Sequence, residues 1–469
     1  MVRIRDFVKI AIYCLIGLIL SGADYSQAVV GKRIEVYDKN PRYWSYGEGP
    51  VLLLGGSVED NLFQISDIEE QLDLLRGVGG NYVRCTMSSR DKGNLWAFGK
   101  SGDKFDLDSW NKEYWGRFEK FLMLASQRDI IVQIEVWATF DFYRDNWEVN
   151  PFNPKNNVNY RYEDTWLSEH VNSHPVRAAN NFFYSVPAFQ WLAPKPEMQT
   201  LLLGYQQRFV DKLLSISLKY GNVLYCMDNE TSVRPEWGWY WAQYIQQKAV
   251  EAGAVVHTTE MWDPHELSHP FHNATFDYPE IYSFVDVSQN NHQSGQGHWD
   301  NAQKQRERIA GKVRPLNNVK VYGSDSGRFG GDRDSQERFW RNIFGGLASA
   351  RFHRPEAGLG LGTKAQANIK SMRMLTDEMN IFTCEPRNDL LSGREDNEAY
   401  CTANPGKDYA VYFTNGGEVL LDVTGVDGDI TVRWLDIMTS RWVAEVEAVG
   451  GGELLLRCPS DGFWAVLVQ

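Results

Sequence analysis

Between Val51 and about Glu385 the sequence alternates eight times between a short apolar or β-branched run and a longer segment, and nothing else in the chain limits the fold as strongly. The runs are VLLLGGS (51–57), NYVRCTM (81–87), IIVQIEVWA (130–138), VLYCMDN (223–229), VVHTTEM (255–261), FVDVSQ (284–289), VKVYGS (319–324) and GLASARF (346–352). Residues 66–80, 115–129, 198–221, 240–253 and 334–349 carry an apolar stripe at helical spacing. The first of these helices is expected to start on Ser66 as N-cap and to stop at glycine. Strands that read as continuous apolar runs are buried on both faces. Eight of them with helices between predict a closed (β/α)8 TIM barrel. An open doubly wound sheet would carry a glycine-rich phosphate turn after its first strand, and GGSVEDN (55–61) does not fit that pattern.

Two segments depart from the alternation. Phe142 to Pro196 is long, aromatic and polar, and follows the third run. In a barrel such a loop lies on the catalytic face. After about Pro386 the period changes to two: YAVYF, EVLLDV, ITVRWLDI, RWVAEVEAV, ELLLRC and FWAVLV are separated by glycine and aspartate turns. This predicts a small C-terminal antiparallel β-sandwich. The organisation expected is therefore a signal peptide over 1–28, a barrel over 29–385 and a sandwich over 386–469.

The N-terminus places Arg3, Arg5 and Lys9 before an apolar stretch, Ile10 to Leu20, that is short for a bilayer span. Small residues follow at Ser26 and Ala28. This is the pattern of a secretory signal cleaved near Ala28, predicting a secreted or periplasmic protein with no stable membrane insertion after cleavage. The net charge of −13 argues against a nucleic-acid partner. Of six cysteines one leaves with the signal. The remaining five show no metal-ligand spacing, and Cys85 and Cys226 fall in buried strands. HELSHPFH (265–272) has three histidines, but its spacing does not suit one helical face and Pro264 and Pro270 interrupt it. No metal and no cofactor is expected.

In a TIM barrel the reactive groups sit where strands leave the core. The fourth run ends in Asp228, Asn229 and Glu230. Helix capping could account for Asp228 or Asn229, but not for Glu230 as well. Glycoside hydrolysis needs two carboxyls across one face, one to protonate the leaving oxygen and one to attack or to activate water. At the seventh tip, VKVYGSDSG, the carboxylate is Asp325. Its rivals are Glu260 and Glu135, the latter also placed to pair with Arg84 as a structural ion pair. Other tips carry Asn290 and His292, then Trp299, and in ARFHRPE His353 and Arg354. Amides and histidines suit sugar hydroxyls, while Trp137, Phe140, Trp262 and Trp299 offer stacking faces. Arg84, Arg351 and Arg354, joined by Arg328, would either pair with carboxylates or recognise a uronate or sulfate.

Asn229-Glu230 at the end of a fourth barrel strand resembles clan A of the glycoside hydrolases, and so does Arg84 after the second. The stretch DYAVYFTNGGEVLLDVTGVDGDITVRWLD resembles the small β domain, named for collagen binding, that follows apiosidase-like barrels. The resemblance implies Glu230 as acid/base, its pKa raised by burial and by a carboxylate partner. It implies an acid at the seventh tip as nucleophile, where Asp325 stands in place of the clan's glutamate. The expected substrate is a poly- or oligosaccharide, anionic if the arginines read it directly. The alternative is a non-catalytic carbohydrate- or matrix-binding protein on the same barrel.

Overall fold

Leu53–Gly56, Tyr82–Thr86, Ile131–Ala138, Val223–Asn229, Thr258–Thr259, Val285–Asp286, Leu316–Val321 and Ser349–Phe352 form one eight-stranded sheet in a computed structural model that describes residues 31–174, 180–324 and 327–469. Numbering these strands first to eighth, the order is fifth, fourth, third, second, first, eighth, seventh, sixth. Every pairing is parallel, and the first strand pairs with the eighth. The ring is thus wound in sequence order, as a (β/α)8 TIM barrel requires. Across the seam between fifth and sixth strands the Asp286 N–H donates to Thr259 Oγ1 at 3.2 Å. The proposed signal segment and Asp325 lie outside the described residues.

The helices form where the apolar stripes place them, at Ile68–Gly77, Lys112–Gln127, Pro196–Ser217, Pro235–Glu251 and Asp332–Phe344. Further helices at Gly295–Arg308 and Thr363–Glu378 complete the outer layer. The first helix is preceded by Asp67 and not by Ser66, with no side-chain cap bond. Its stop is glycine as expected: Gly79 takes φ +81° and its N–H returns to Arg76 O at 2.9 Å, a conformation open to glycine at little cost.

The seventh strand begins at Leu316, ahead of the run VKVY, because its polar start is satisfied inside the barrel. Asn317 donates to Tyr82 Oη at 3.3 Å and accepts from Trp44 Nε1 at 3.0 Å. Trp44 belongs to a three-stranded antiparallel sheet, Ile34–Val36, Trp44–Tyr46 and Gly49–Val51, that precedes the barrel. Between Asn318 and Val321 the pairing with the eighth strand slips by one residue. Such a bulge re-aims the side chains beyond it.

The C-terminal region is antiparallel. Its larger sheet includes Ala399–Asn404, Asp408–Phe413, Trp464–Val468, Asp429–Asp436 and Arg441–Val449; a smaller one pairs Glu418–Asp422 with Glu453–Arg457. Val411, Phe413, Val419, Leu421 and Val466 pack between the two sheets. The opposite face of the larger sheet joins the barrel core through Tyr400, Tyr412, Leu435 and Leu467. Tyr412 stacks on Trp340 of the Asp332–Phe344 helix, with centroids 5.2 Å apart and planes 15° apart. Residues 31–469 accordingly form one compact unit.

Candidate active site

The exit of the fourth strand is built so that each polar residue has a separate task. Asp228 points back into structure: its carboxylate accepts from Thr139 N and Oγ1, both at 2.8 Å, and ties the third strand's end to the fourth. It does not cap a helix, since the next one begins at Pro235 behind Arg234. Glu230 is the first residue beyond the strand and takes φ +61°. A glutamate in the left-handed region is strained, and such strain survives where surrounding contacts fix it. Here the next residue is pinned, with Thr231 N–H bonded to Met261 O at 2.7 Å.

The strain delivers the Glu230 carboxylate into an open cavity of about 300 Å³. Its wall includes Asp60, Arg84, Asn229, Lys320, Tyr322 and His353. Lys320 Nζ donates to Glu230 Oε1 at 2.6 Å and to Asn229 Oδ1 at 2.5 Å, and Tyr322 Oη lies 3.4 Å from the same Glu230 oxygen. Fourth and seventh strands are not neighbours in the sheet, so these contacts cross the barrel mouth. Burial pushes the Glu230 pKa up, but the Lys320 charge and hydrogen bond, with Arg84 and Arg90, overcome it and leave it below the ordinary glutamate value. The expected upward shift is therefore not found in this state. The reason is a lysine at the seventh strand's tip.

Beneath lies a second charged group. Arg84 is fully buried and donates to Glu135 Oε2 at 2.6 Å and to Asp60 Oδ1 at 2.9 Å. Asp60 is also approached by Arg354 Nε at 3.5 Å and His353 Nδ1 at 3.6 Å. Burial opposes its charge, yet Arg84, His353, Arg351 and Arg354 together hold its carboxyl well below the usual range. Arg354 reaches Glu59 and Asp91 as well, at 3.4 and 3.3 Å. Arg90 pairs with Asp141 at 3.0 Å. Arg84, Arg90 and Arg354 thus pair with carboxylates, while Arg328 lies 3.3 Å from His265 Nε2.

Of the residues anticipated, Glu230, Asn229, Arg84, His353 and Arg354 meet in this cavity. His292 stands apart from its wall, stacked on His265 at 3.8 Å and edge-on to Phe329. Burial, with His265 and Arg328, lowers its pKa to about 4. Four anticipated contacts are corrected. Trp137 is packed inward among Phe209, Phe182 and Trp241, with centroids 5.2–5.3 Å away. Trp262 is buried and its indole N–H donates to Thr275 Oγ1 at 2.8 Å. Trp299 packs on Tyr400 of the C-terminal sheet at 4.8 Å. Asn290 bonds His298 O and Asn301, both inside the fold. In each case an apolar or amide surface finds a partner below the rim, and the aromatic ring anticipated for stacking that does line the cavity is Phe140. The rival acids are also internal. Glu135 serves Arg84, and Glu260 is buried against Thr231 and Tyr282, where burial raises its pKa.

Asp60, Lys320, Tyr322 and Arg90 were not anticipated. For Asp60 the signal was present in the sequence: it follows the first strand closely, at the exit where a barrel carries its reactive groups.

No protein-family model matches the chain, and no curated protein matches it in sequence. Solved structures do match. A family 5 glycoside hydrolase from Bacteroides vulgatus is 12% identical, with 93% of each chain covered and a TM-score of 0.63. A second structure described as a glycoside hydrolase is 11% identical over 93% of this chain and 96% of its own, TM-score 0.59. A maltogenic α-amylase from Thermotoga neapolitana is 13% identical over 88% and 98%, TM-score 0.50. At such identities the likeness is one of fold.

Proposed function

We propose that this protein is a secreted or periplasmic glycoside hydrolase that cleaves O-glycosidic bonds in a poly- or oligosaccharide by a two-carboxylate mechanism. The observation that carries the reading is the Glu230 carboxylate, presented from a strained strand exit into an open cavity beside Asn229 and above the Arg84–Asp60 pair. The enzymes sharing the fold, a family 5 glycoside hydrolase among them, make this chemistry the natural one to test.

In the proposed cycle Glu230 is acid/base and Asp325 is nucleophile, or base toward water. Asp325 lies three positions beyond Tyr322 in the sequence, and the Tyr322 hydroxyl meets Glu230. A substrate oxygen entering the cavity takes the place of the Lys320 ammonium at Glu230. Burial then acts with less opposition, and the carboxyl becomes a proton donor when the glycosidic oxygen needs one. Asn229 and Arg84 hold the sugar and the neighbouring carboxylate in place. The arginines' existing partners favour a substrate recognised through hydroxyls. The C-terminal sandwich braces the barrel through Tyr412 and Trp340. The experiment is a screen of purified protein against a polysaccharide panel, including uronate-bearing, sulfated and apiose-containing glycans, with products separated by chromatography. New reducing ends or released sugars support hydrolysis.

One observation favours a second reading. A carboxylate locked to a buried lysine is also what a binding protein on a disused barrel would keep. Calorimetric binding of a glycan that yields no product would identify that case.

A further inference from the structure

Beside the Glu230 cavity the chain assembles a second ionisable group that the mechanism above does not use. The exits of the fourth and fifth strands stay zipped beyond the sheet. Thr231 bridges to Trp262, and the Asp263 N–H donates to Thr231 O at 2.9 Å. Glu230 and Asp263 are therefore each one step from the same short ladder. Asp263 Oδ2 lies 3.9 Å from His174 Nε2 on the long loop after the third strand. The other ring nitrogen of His174 is 2.5 Å from Ser232 Oγ. The His174 ring packs on Tyr143 at 5.0 Å and on Phe140 at 6.1 Å, and Phe140 lines the Glu230 cavity.

We propose that Asp263 is a positioning residue for Glu230, its charge setting the protonation state in which Glu230 meets a sugar. Lys320 and Asp263 act on that carboxylate with opposite sign. The lysine favours the ionised form; a second carboxylate disfavours it and returns proton affinity to the acid/base group. The charged and titratable groups that act on Asp263, or on which it acts, are Glu230 just beyond the fourth strand, Lys320 from the seventh, His265 from its own loop, and His174 and Tyr143 from the long loop. Burial and the Glu230 charge raise the Asp263 pKa, while the two histidines and Lys320 draw it down. His174 is lowered by burial, raised by Asp263 and Glu230, and lowered by Arg144. Ser232 fixes the ring, which gives the Asp263 side chain a histidine partner at 3.9 Å.

The consequence for turnover rests on the hydrolase reading; the electrostatic coupling does not, and the test separates them. The His174 ring is titrated by NMR in the full chain, its signal identified by loss in His174→Gln. In Asp263→Asn, and separately in Glu230→Gln, the His174 midpoint is expected to fall by roughly half a pH unit or more, because each variant removes a nearby negative charge. In the pH profile of kcat/KM, Asp263→Asn is expected to move the basic limb to lower pH, and Asp263→Glu to restore it. An unmoved His174 midpoint in both variants, or a basic limb unchanged in folded Asp263→Asn, overturns the proposal. A moved midpoint in a protein that hydrolyses no glycan supports the coupling and counts against the hydrolase reading alone.

Discussion

The Lys320 ammonium lies 2.6 Å from the Glu230 carboxylate across the barrel mouth, joining the exits of two strands that do not pair in the sheet. Lys320 is 3% exposed and Glu230 16%, so neither charge is cancelled by water. Removing one partner of such a pair leaves the other buried and uncompensated.

Lys320→Met is therefore expected to lower the unfolding midpoint at pH 7. Glu230, without its cation, would then bind a proton more readily folded than unfolded. Its charge destabilises the fold above the ordinary glutamate pKa, so the deficit should shrink as pH falls toward 4. Thermal unfolding of both proteins across pH 4–8 checks the sign. In the same variant the basic limb of kcat/KM should move to higher pH.

The lysine also shows what could and could not be read from the chain. Glu230, Asn229 and Arg84 were legible because an apolar run ending in polar residues marks a barrel strand's exit whatever the exact register. Lys320 was not. In VKVY it reads as the polar member of an alternating strand, facing away from the valines. The bulge between Asn318 and Val321 adds a residue and breaks that alternation, so that Asn317 and Lys320, three apart, both reach partners across the barrel. The tryptophans failed for a different reason: a stacking face and a core face have the same composition. Only packing against Phe209 for Trp137, or Tyr400 for Trp299, separates them. The fifth and sixth strands are shorter than their runs because VVHTTEM and FVDVSQ carry apolar residues on both sides of a ladder only two residues long.

Arg84→Met should cost about 3–5 kcal/mol at neutral pH, since Asp60 and Glu135 both lose a partner at 5% exposure or less. Asp60 has a depressed pKa in the folded protein. Its contribution is present above the ordinary aspartate value and lost as pH falls below it. The variant's deficit should thus narrow below about pH 4, measured by urea unfolding followed by circular dichroism.

Asp286 works in the opposite sense. Burial pushes its pKa up to about 7, against hydrogen bonds from Ser288 N and Oγ. A raised carboxyl lowers stability as pH climbs from its unfolded value toward its folded one. Stability should fall by about 1 kcal/mol per pH unit over that window from this group alone. Asp286→Asn, which keeps an acceptor for Ser288 N–H, should flatten the fall between pH 4 and 7.

Trp340 is fully buried, stacks on Tyr412 and donates its indole N–H to Asn368 Oδ1 at 2.8 Å. Trp340→Ala should cost about 3–5 kcal/mol. Because the ring lies at the junction of barrel and sandwich, calorimetry should show the single transition broadening or splitting in two.

The most direct test of the central claim is turnover by Glu230→Gln on an unactivated glycan that the unaltered protein cleaves. The substitution keeps the shape and one acceptor for Lys320 but cannot donate a proton as an acid. Loss of rate by about a hundred- to ten-thousand-fold, with glycan affinity largely retained, is the expected result. Turnover equal to that of the unaltered protein would contradict it.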